Sequence, residues 1–316
     1  MCYIADATTK FLIGSSVNKI PTTSPSSVGL TFGISAYLIW GFFPIYFKGL
    51  ESVPPLQVVC HRIIWSALFL AILITLRRGW GEVAAAFSSR GNLLLLVTTA
   101  LLIATNWLIF IIAVGHAEVL QSSLGYFMTP FVSVVLGVFR LKERLRRMQV
   151  AALVLAFIGV ALITAQQSAP PWAALTLAAT FGTYGLLRKV AGVDALAGLA
   201  VETFILAPAA AGYLAYAEII GVAGFRHSGG GIATLLICSG LVTSLPLLLF
   251  AAAARRLRLA TIGFLQYLTP TMHFLIAVLL YHEPFTAANL ASFGFIWLGL
   301  LLYSLNVLSM ARQPTK

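Results

Sequence analysis

SLGYFMTPFVSVVLGVFRLKER, residues 123–144, and GFLQYLTPTMHFLIAVLLYHEP, residues 263–284, are two versions of one apolar segment. Sliding the chain about 140 residues along itself places Thr129-Pro130 on Thr269-Pro270 and Glu143 on Glu283. Each glutamate follows its proline at the same distance. At the same or nearly the same offset, Trp40-Gly41 falls on Tyr184-Gly185, His61 on Glu202 and Asn106 on Pro246. Chance resemblance between Leu-rich helices gives shared hydropathy, but it gives no reason for a Thr-Pro pair and a glutamate to recur at fixed spacing. The chain reads as two related halves.

Outward from these segments, apolar runs cut by charges, Pro pairs and Gly clusters predict ten spans: 29–47, 56–76, 92–114, 119–139, 148–166, 171–187, 195–216, 232–254, 260–281 and 287–308. A helix needs about 20 residues to cross ~30 Å of hydrocarbon. Five spans per half is an odd number, so the two halves must enter the membrane in opposite directions. The expected fold is an all-α membrane protein of ten transmembrane helices in two inverted five-helix repeats. The first repeat covers 28–166 and the second 167–310, with a flexible cytoplasmic tail at 1–27 and a short one at 311–316. The tail at 1–27 has no apolar run longer than FLIG (11–14) and so lacks the core of a signal peptide.

Composition excludes a water-soluble surface. Hydrophobic residues make up 60% of the 316, and charged residues 9%, against roughly 25% in soluble domains; the mean hydropathy is +0.96. The net charge of +11 does not point to nucleic acid, because the basic residues sit in the connections between spans. Lys48 and Arg226 fall in outer connections and Arg62 within a span, and every other Lys and Arg falls on the side of the two tails. By the positive-inside rule both termini are cytoplasmic, in a multi-pass bacterial inner-membrane protein whose surroundings are lipid. The connections 77–91 and 217–231 are the longest and leave no room for a soluble catalytic domain. Cys2, Cys60 and Cys238 have no metal-ligand or redox spacing, so no metal, disulfide or cofactor is expected. The sequence has no HExxH, GxSxG or phosphate-binding Gly loop, and no carboxylate cluster inside a span.

Function must then come from polar and aromatic groups at helical spacing. Ser122, Tyr126, Thr129 and Ser133 line one face of the fourth span, and Gln266, Thr269 and His273 occupy the matching face of the ninth. In lipid such stripes face the bundle interior or a wet cavity. For single Ser and Thr residues, helix-to-helix hydrogen bonds are the readier explanation, whereas Tyr126 and Gln266 are assigned to the cavity. Tyr37 and Trp40 on the first span, and Phe181 and Tyr184 on the sixth, form aromatic pairs deeper than the usual interfacial belts, suited to a flat or cationic organic molecule. Asn106 and Trp107 form a similar mid-span pair. Pro130 and Pro270 each remove a backbone hydrogen bond and are candidate hinges, or simply shape the bundle. The ionisable residues within spans are His61, Arg62, Glu202 and His273. Such groups are costly in the membrane, so each should have a partner or a role in coupling. His61-Arg62 reads as a structural anchor. Glu202 either pairs with a nearby Arg or Lys or carries a coupling proton; His273 is a hydrogen-bonded core histidine or a proton relay.

The stretches AYLIWGFFPIYFK (36–48), HRIIWS (61–66), NWLIFIIAV (106–114), SLGYFMTPFVSVVLGVFRLKERLRRMQ (123–149), YGLLRK (184–189) and RLRLATIGFLQYLTPTMHFLIAV (256–278) together resemble the RarD branch of the EamA group in the drug/metabolite transporter superfamily. The resemblance covers about 29–310. It implies ten helices from two EamA repeats, a central cavity lined chiefly by spans one, three, four, six, eight and nine, and alternating access. The label chloramphenicol-sensitive protein carried by RarD proteins implies a permease for a small organic metabolite or drug. The alternatives are a membrane-embedded enzyme, disfavoured because His61, Glu202 and His273 form no catalytic pattern, and a channel or receptor, for which no charged ring or output domain is visible.

Overall fold

The computed structural model describes residues 27–88, 90–115, 119–165, 172–222, 225, 229–280 and 287–311. The predicted tail before Ser27, the tail after Ala311, Arg226 and Glu283 lie outside the described residues, as does the side chain of Ser122. Among the described residues the chain is helical without strands. The elements are α1 (Ser27–Gly41), α2 (Phe43–Lys48), α3 (Pro55–Leu76), α4 (Trp80–Ser88), α5 (Arg90–Gly115), α6 (Val119–Leu141), α7 (Arg147–Thr164), α8 (Trp172–Val190), α9 (Ala195–Ile219), α10 (Gly230–Arg256), α11 (Leu259–Gln266), α12 (Leu268–Leu279) and α13 (Ala287–Ala311). Among the described residues, five segments are long and apolar enough to cross a membrane: Ser27–Lys48, Pro55–Leu76, Arg90–Phe110, Ala195–Ile219 and Gly230–Arg256. Shorter apolar helices run over Tyr126–Leu141, Arg147–Leu162 and Leu290–Asn306. Large apolar side chains face outward along them, among them Leu68 and Ile72 on α3, Val154 and Phe157 on α7 and Leu298 and Leu301 on α13. That arrangement suits lipid rather than water.

Two predicted spans are each broken into two helices. The first divides at Phe42, between α1 and α2. Pro44 has no N–H, so the carbonyl of Trp40, four residues earlier, loses its helical donor. The ninth divides at Tyr267, three residues before Pro270, which sits in the first turn of α12 where proline is tolerated. Its counterpart Pro130 lies inside the unbroken helix α6, so the two prolines expected to act alike do not. The predicted connection 77–91 also contains a helix, α4. Its Trp80 stacks on Phe204 of α9, with ring centroids 6.1 Å apart and planes 10° apart, and donates from Nε1 to Thr75 Oγ1 at 3.0 Å.

The helices pair in an ordered way. α1 packs on α10, and α5 on α8; α1 also meets α12, and α6 meets α8. α3 packs on α9, α6 on α11 and α7 on α13. Glycines permit the closest approaches. A Cβ at Gly159 of α7 would lie 2.5 Å from the Ser292 carbonyl of α13, and one at Gly299 of α13 would lie 2.7 Å from the Ala152 carbonyl of α7. A Cβ at Gly41 would meet Met272 at 2.6 Å, and one at Gly182 would meet Val132 at the same distance. Small residues at such crossings let backbones touch, the main source of helix association in lipid, where burying apolar surface gains little.

At the crossing of α3 and α10, a Cβ on Gly240 would lie 2.3 Å from the carbonyl carbon of Trp65, beside the bond from Ser66 Oγ to the Gly240 carbonyl. Gly240→Val should therefore lower the unfolding temperature of the detergent-solubilised protein, at a cost of about 1–3 kcal/mol from overpacking. Gly212→Ala, where a Cβ meets nothing within 4 Å, should leave that temperature unchanged or slightly raised; equal losses in both variants would contradict the packing described.

Candidate functional site

The aromatic residues expected on two separate spans converge. Tyr37 and Trp40 on α1 and Phe181 and Tyr184 on α8 gather around Phe250 of α10. Ring centroids are 5.4 Å apart for Tyr37 and Trp40, 5.6 Å for Trp40 and Phe181, 5.2 Å for Phe181 and Phe250, and 6.0 Å for the stacked Tyr184 and Phe250. Tyr37, Tyr184 and Phe250 are buried, while Trp40 and Phe181 are half-buried and form the open side of the cluster. Sequence reasoning passed over Phe250 because one Phe among leucines and alanines looks like any other apolar span residue.

Directly beneath this cluster lies an ionic network. Glu202 on α9 accepts from Thr99 Oγ1 at 2.6 Å and Tyr184 Oη at 3.2 Å, and its Oε1 lies 3.5 Å from Arg188 Nη1. The Arg188 and Glu202 side chains are 0% and 1% exposed. Arg188, expected in a cytoplasmic connection, instead turns into the bundle from the last turn of α8. Gly198 makes this possible, since a Cβ there would collide with Arg188 Nη1 at 2.0 Å. Arg188 Nη2 donates to the Ala195 carbonyl at 3.1 Å, whereas Nε and Nη1 have no hydrogen-bond partner. Glu202 is thus the neutralising group for a buried guanidinium. Asp194 begins α9 by accepting from the Leu196 amide at 3.1 Å and from Arg255 at 2.8 Å. Burial alone would raise its carboxyl, but these donors and the Ala195 amide hold it below its ordinary value.

The polar face of the ninth span meets the first. Thr269 Oγ1 donates to the Tyr37 carbonyl at 2.9 Å, and His273 Nε2 lies 3.2 Å from the Trp40 carbonyl. A carbonyl only accepts, so the proton belongs on Nε2. His273 therefore serves the acceptor freed by Pro44. Its ring stands edge-on to Tyr126 at 5.9 Å, and Tyr126 is equally far from Phe110. Gln266 is buried at the end of α11. Pro130 meets Gly263 of α11, whose Cβ would lie 2.9 Å from the Pro130 carbonyl. Asn106 spends its Nδ2 on α8, donating to the Leu177 carbonyl at 3.0 Å and to Thr180 Oγ1 at 2.8 Å.

The adjacent pair behaves differently. Arg62 donates from Nε to Thr243 Oγ1 at 2.8 Å and lies over the rings of Trp107 (4.8 Å), Phe47 (5.2 Å) and Phe43 (5.9 Å). His61 stacks on Phe225 at 5.1 Å. Glu143, the glutamate that recurs with the Thr-Pro pair, mainly caps a helix. It accepts from the Leu259 and Ala260 amides at 2.8 and 3.1 Å, with Arg258 Nε 3.8 Å away. A carboxylate there satisfies the free amides that begin α11. Lys142 enables this by adopting φ 56°, which turns the chain back on α6. Among the described residues no group of His, Cys, Asp and Glu could hold a metal ion.

The profile of the EamA-like transporter family matches residues 27–165. The chain is 40% identical to Protein RarD of Escherichia coli (strain K12), over 91% of this chain and 97% of that protein. The chain belongs to the RarD branch of the EamA-like transporter family. An uncharacterized transporter of Vibrio cholerae serotype O1 is 43% identical over 94% of this chain and 98% of its own length. The chloramphenicol-sensitive protein RarD of Pseudomonas aeruginosa is 32% identical over 92% and 98%. A solved crystal structure superposes with a TM-score of 0.66, covering 89% of this chain and 98% of that one at 19% identity, a likeness of fold. Membership makes the chain a multi-pass membrane transporter of the drug/metabolite class.

Replacing Glu202 by Gln would leave Arg188 charged and buried without its counter-ion, which costs about 3–5 kcal/mol. Glu202→Gln should sharply lower the unfolding temperature in detergent, and Arg188→Met added to it should recover part of the loss. A single variant as stable as the parent would show that the pair does not hold α8 to α9.

Proposed function

We propose that this RarD-type chain is an inner-membrane permease that moves a small organic metabolite or drug by alternating access, as an exporter or exchanger, through a cavity between two inverted five-span halves. The observation that carries this reading is the reciprocity of the helix contacts. Ala152 and Ser292 stand 140 positions apart, as do Gly159 and Gly299, and the contact of Gly159 with Ser292 is mirrored by that of Gly299 with Ala152. Exchanging the halves turns the pair α1–α10 into α5–α8, and maps α3–α9, α6–α11 and α7–α13 each onto itself. The paired contacts Gly41–Met272 and Gly182–Val132 support the same exchange. They align Gly41 with Gly182 rather than Gly185, one helical turn from the match the sequence suggested. Two related halves that can swap conformations supply an outward-open and an inward-open state of one protein.

In this reading the domains are 28–166 and 167–310, and the cavity is walled by Trp40, Phe181, Trp107, Tyr126, Gln266 and Thr269. Tyr37, Tyr184 and Asn106 hold the wall in place. Both termini face the cytoplasm in this reading, which the distribution of Lys and Arg supports. The relatives' names as transporters are in line with a role without chemical conversion. Glu202 and His273 are the candidates for proton coupling. The hydrogen bonds of Glu202 to Thr99 and Tyr184 and its pairing with Arg188 favour a fixed structural charge, which leaves His273 as the more exposed of the two.

Two measurements test the proposal. In a cysteine-free background, Val222→Cys should react with an impermeant maleimide added outside intact cells, and Arg147→Cys should react only after lysis; the reverse pattern removes the inverted topology. In liposomes, the protein should exchange a small organic molecule that it binds across the membrane without altering it. Trp40→Ala and Phe181→Ala should each weaken the half-saturating concentration by about 0.5–1.5 kcal/mol equivalent, the worth of one aromatic contact. Unchanged exchange by both variants would exclude the aromatic wall.

A further inference from the structure

Each buried charge described so far has a fixed partner, with one exception. Arg188 is paired with Glu202, and Glu143 rests on the amides that begin α11. Lys189 Nζ donates to the carbonyls of Ala254 and Leu257 at the end of α10. Arg62 is 5% exposed and has no carboxylate within ion-pair distance among the described residues. Its Nε uses the Thr243 hydroxyl, and its terminal nitrogens have no protein acceptor among the described residues. The guanidinium cannot shed its proton, so it stays charged wherever it is placed. Cation–π attraction to Trp107, Phe47 and Phe43 holds it but supplies no negative charge.

We propose that Arg62 is the docking point for an anionic group of the cargo, which makes the transported molecule an organic anion with an apolar or aromatic body. The proposal rests on the permease reading above. Five elements meet at the site: α2 with Phe43 and Phe47, α3 with Arg62, α5 with Trp107, α6 with Tyr126, and α10 with Thr243. The Tyr126 and Tyr46 hydroxyls lie close enough for the Arg62 charge to act on them. Tyr126 stands edge-on to His273, which in turn serves the break in the first span. The rings around Arg62 exclude water, which strengthens an Arg–carboxylate or Arg–phosphate contact, and the planar guanidinium presents paired donors to either group. A carboxylate and a phosphate ester would dock by the same chemistry. Thr243 fixes Nε, leaving the fork of terminal nitrogens to the ligand. A guanidinium kept for structure alone would be expected beside a carboxylate, as Arg188 is.

The test uses the full chain purified in detergent, with benzoate, phenyl phosphate, benzamide and benzylammonium as probes and the shift in unfolding temperature as readout. Benzoate, phenyl phosphate or both should stabilise the protein saturably, and the comparison of the two says whether carboxylate or phosphate is preferred. Benzamide and benzylammonium should not. Arg62→Gln should raise the half-saturating anion concentration by about tenfold or more, the loss of a charge-assisted pair. Without ligand it should lose less stability than Glu202→Gln does, because it gives up an unpaired buried charge rather than a salt bridge. Should Arg62→Gln fail to fold, Arg62→Lys carries the test: keeping the charge but losing the fork, it should bind the anion with a smaller, measurable loss. Equal stabilisation by benzamide, anion binding untouched in the folded variant, or no response to either anion would overturn the proposal. Liposome exchange separates the two readings. Anion binding without exchange would refute the permease and leave the site, whereas exchange indifferent to Arg62 would refute the site and leave the permease.

Discussion

A backbone carbonyl inside hydrocarbon has no water to turn to, and the centre of this bundle is organised around that constraint. Pro44 and Pro270 withdraw donors from the first and ninth spans, and each span breaks nearby. The break in the first span does not stay open. Thr269 donates to the Tyr37 carbonyl, and His273 engages the Trp40 carbonyl left free by Pro44, so side chains of one broken span mend the backbone of the other. Gly41 lets Met272 come close enough for both bonds to form. The half-buried Trp40 therefore sits on a stretch of helix whose position is set from across the bundle.

The same arrangement explains why polar residues concentrate between spans rather than along them. Thr99 and Tyr184 hold Glu202, and Asn106 holds α8. In lipid the apolar faces of helices gain little by meeting, so these bonds and the glycine crossings do much of the work that a hydrophobic core does in water. They also differ in kind. The Arg188–Glu202 pair is closed and balanced, while the Arg62 site is closed and unbalanced, and the contrast is what separates a scaffold from a binding surface here.

Much of this was legible in the residues. The all-helical class and the apolar, membrane-crossing character of the longest helices follow from hydropathy. The convergence of Tyr37, Trp40, Phe181 and Tyr184 could be anticipated from their depth and spacing. The partners could not. Phe250, at the hub of the aromatic cluster, is indistinguishable in sequence from leucines that face lipid, because membrane and protein interior are equally apolar. Arg188 looked like a loop residue because the text RKV shows a span ending, not Gly198 opening a place for the side chain. Pro130 and Pro270 carry the same residue in the same repeat, yet only the second lies beside a break, since a helix follows its neighbours as well as its own proline. The helix over Trp80–Ser88 was missed because its length suits a connection and its apolar face is narrow.

Reciprocal contact across α7 and α13 has a further consequence. Gly159 receives Ser292 as Gly299 receives Ala152, the pattern of an isologous interface, in which residue i of one subunit meets residue j of the other and the converse also holds. Such a surface is self-complementary and becomes saturated once formed. Here both sides belong to one polypeptide, so the seam that would ordinarily join two identical subunits is already occupied from within. Association between separate copies of the chain would then use a surface other than this seam, such as the exposed ridges that carry Phe157 and Leu301.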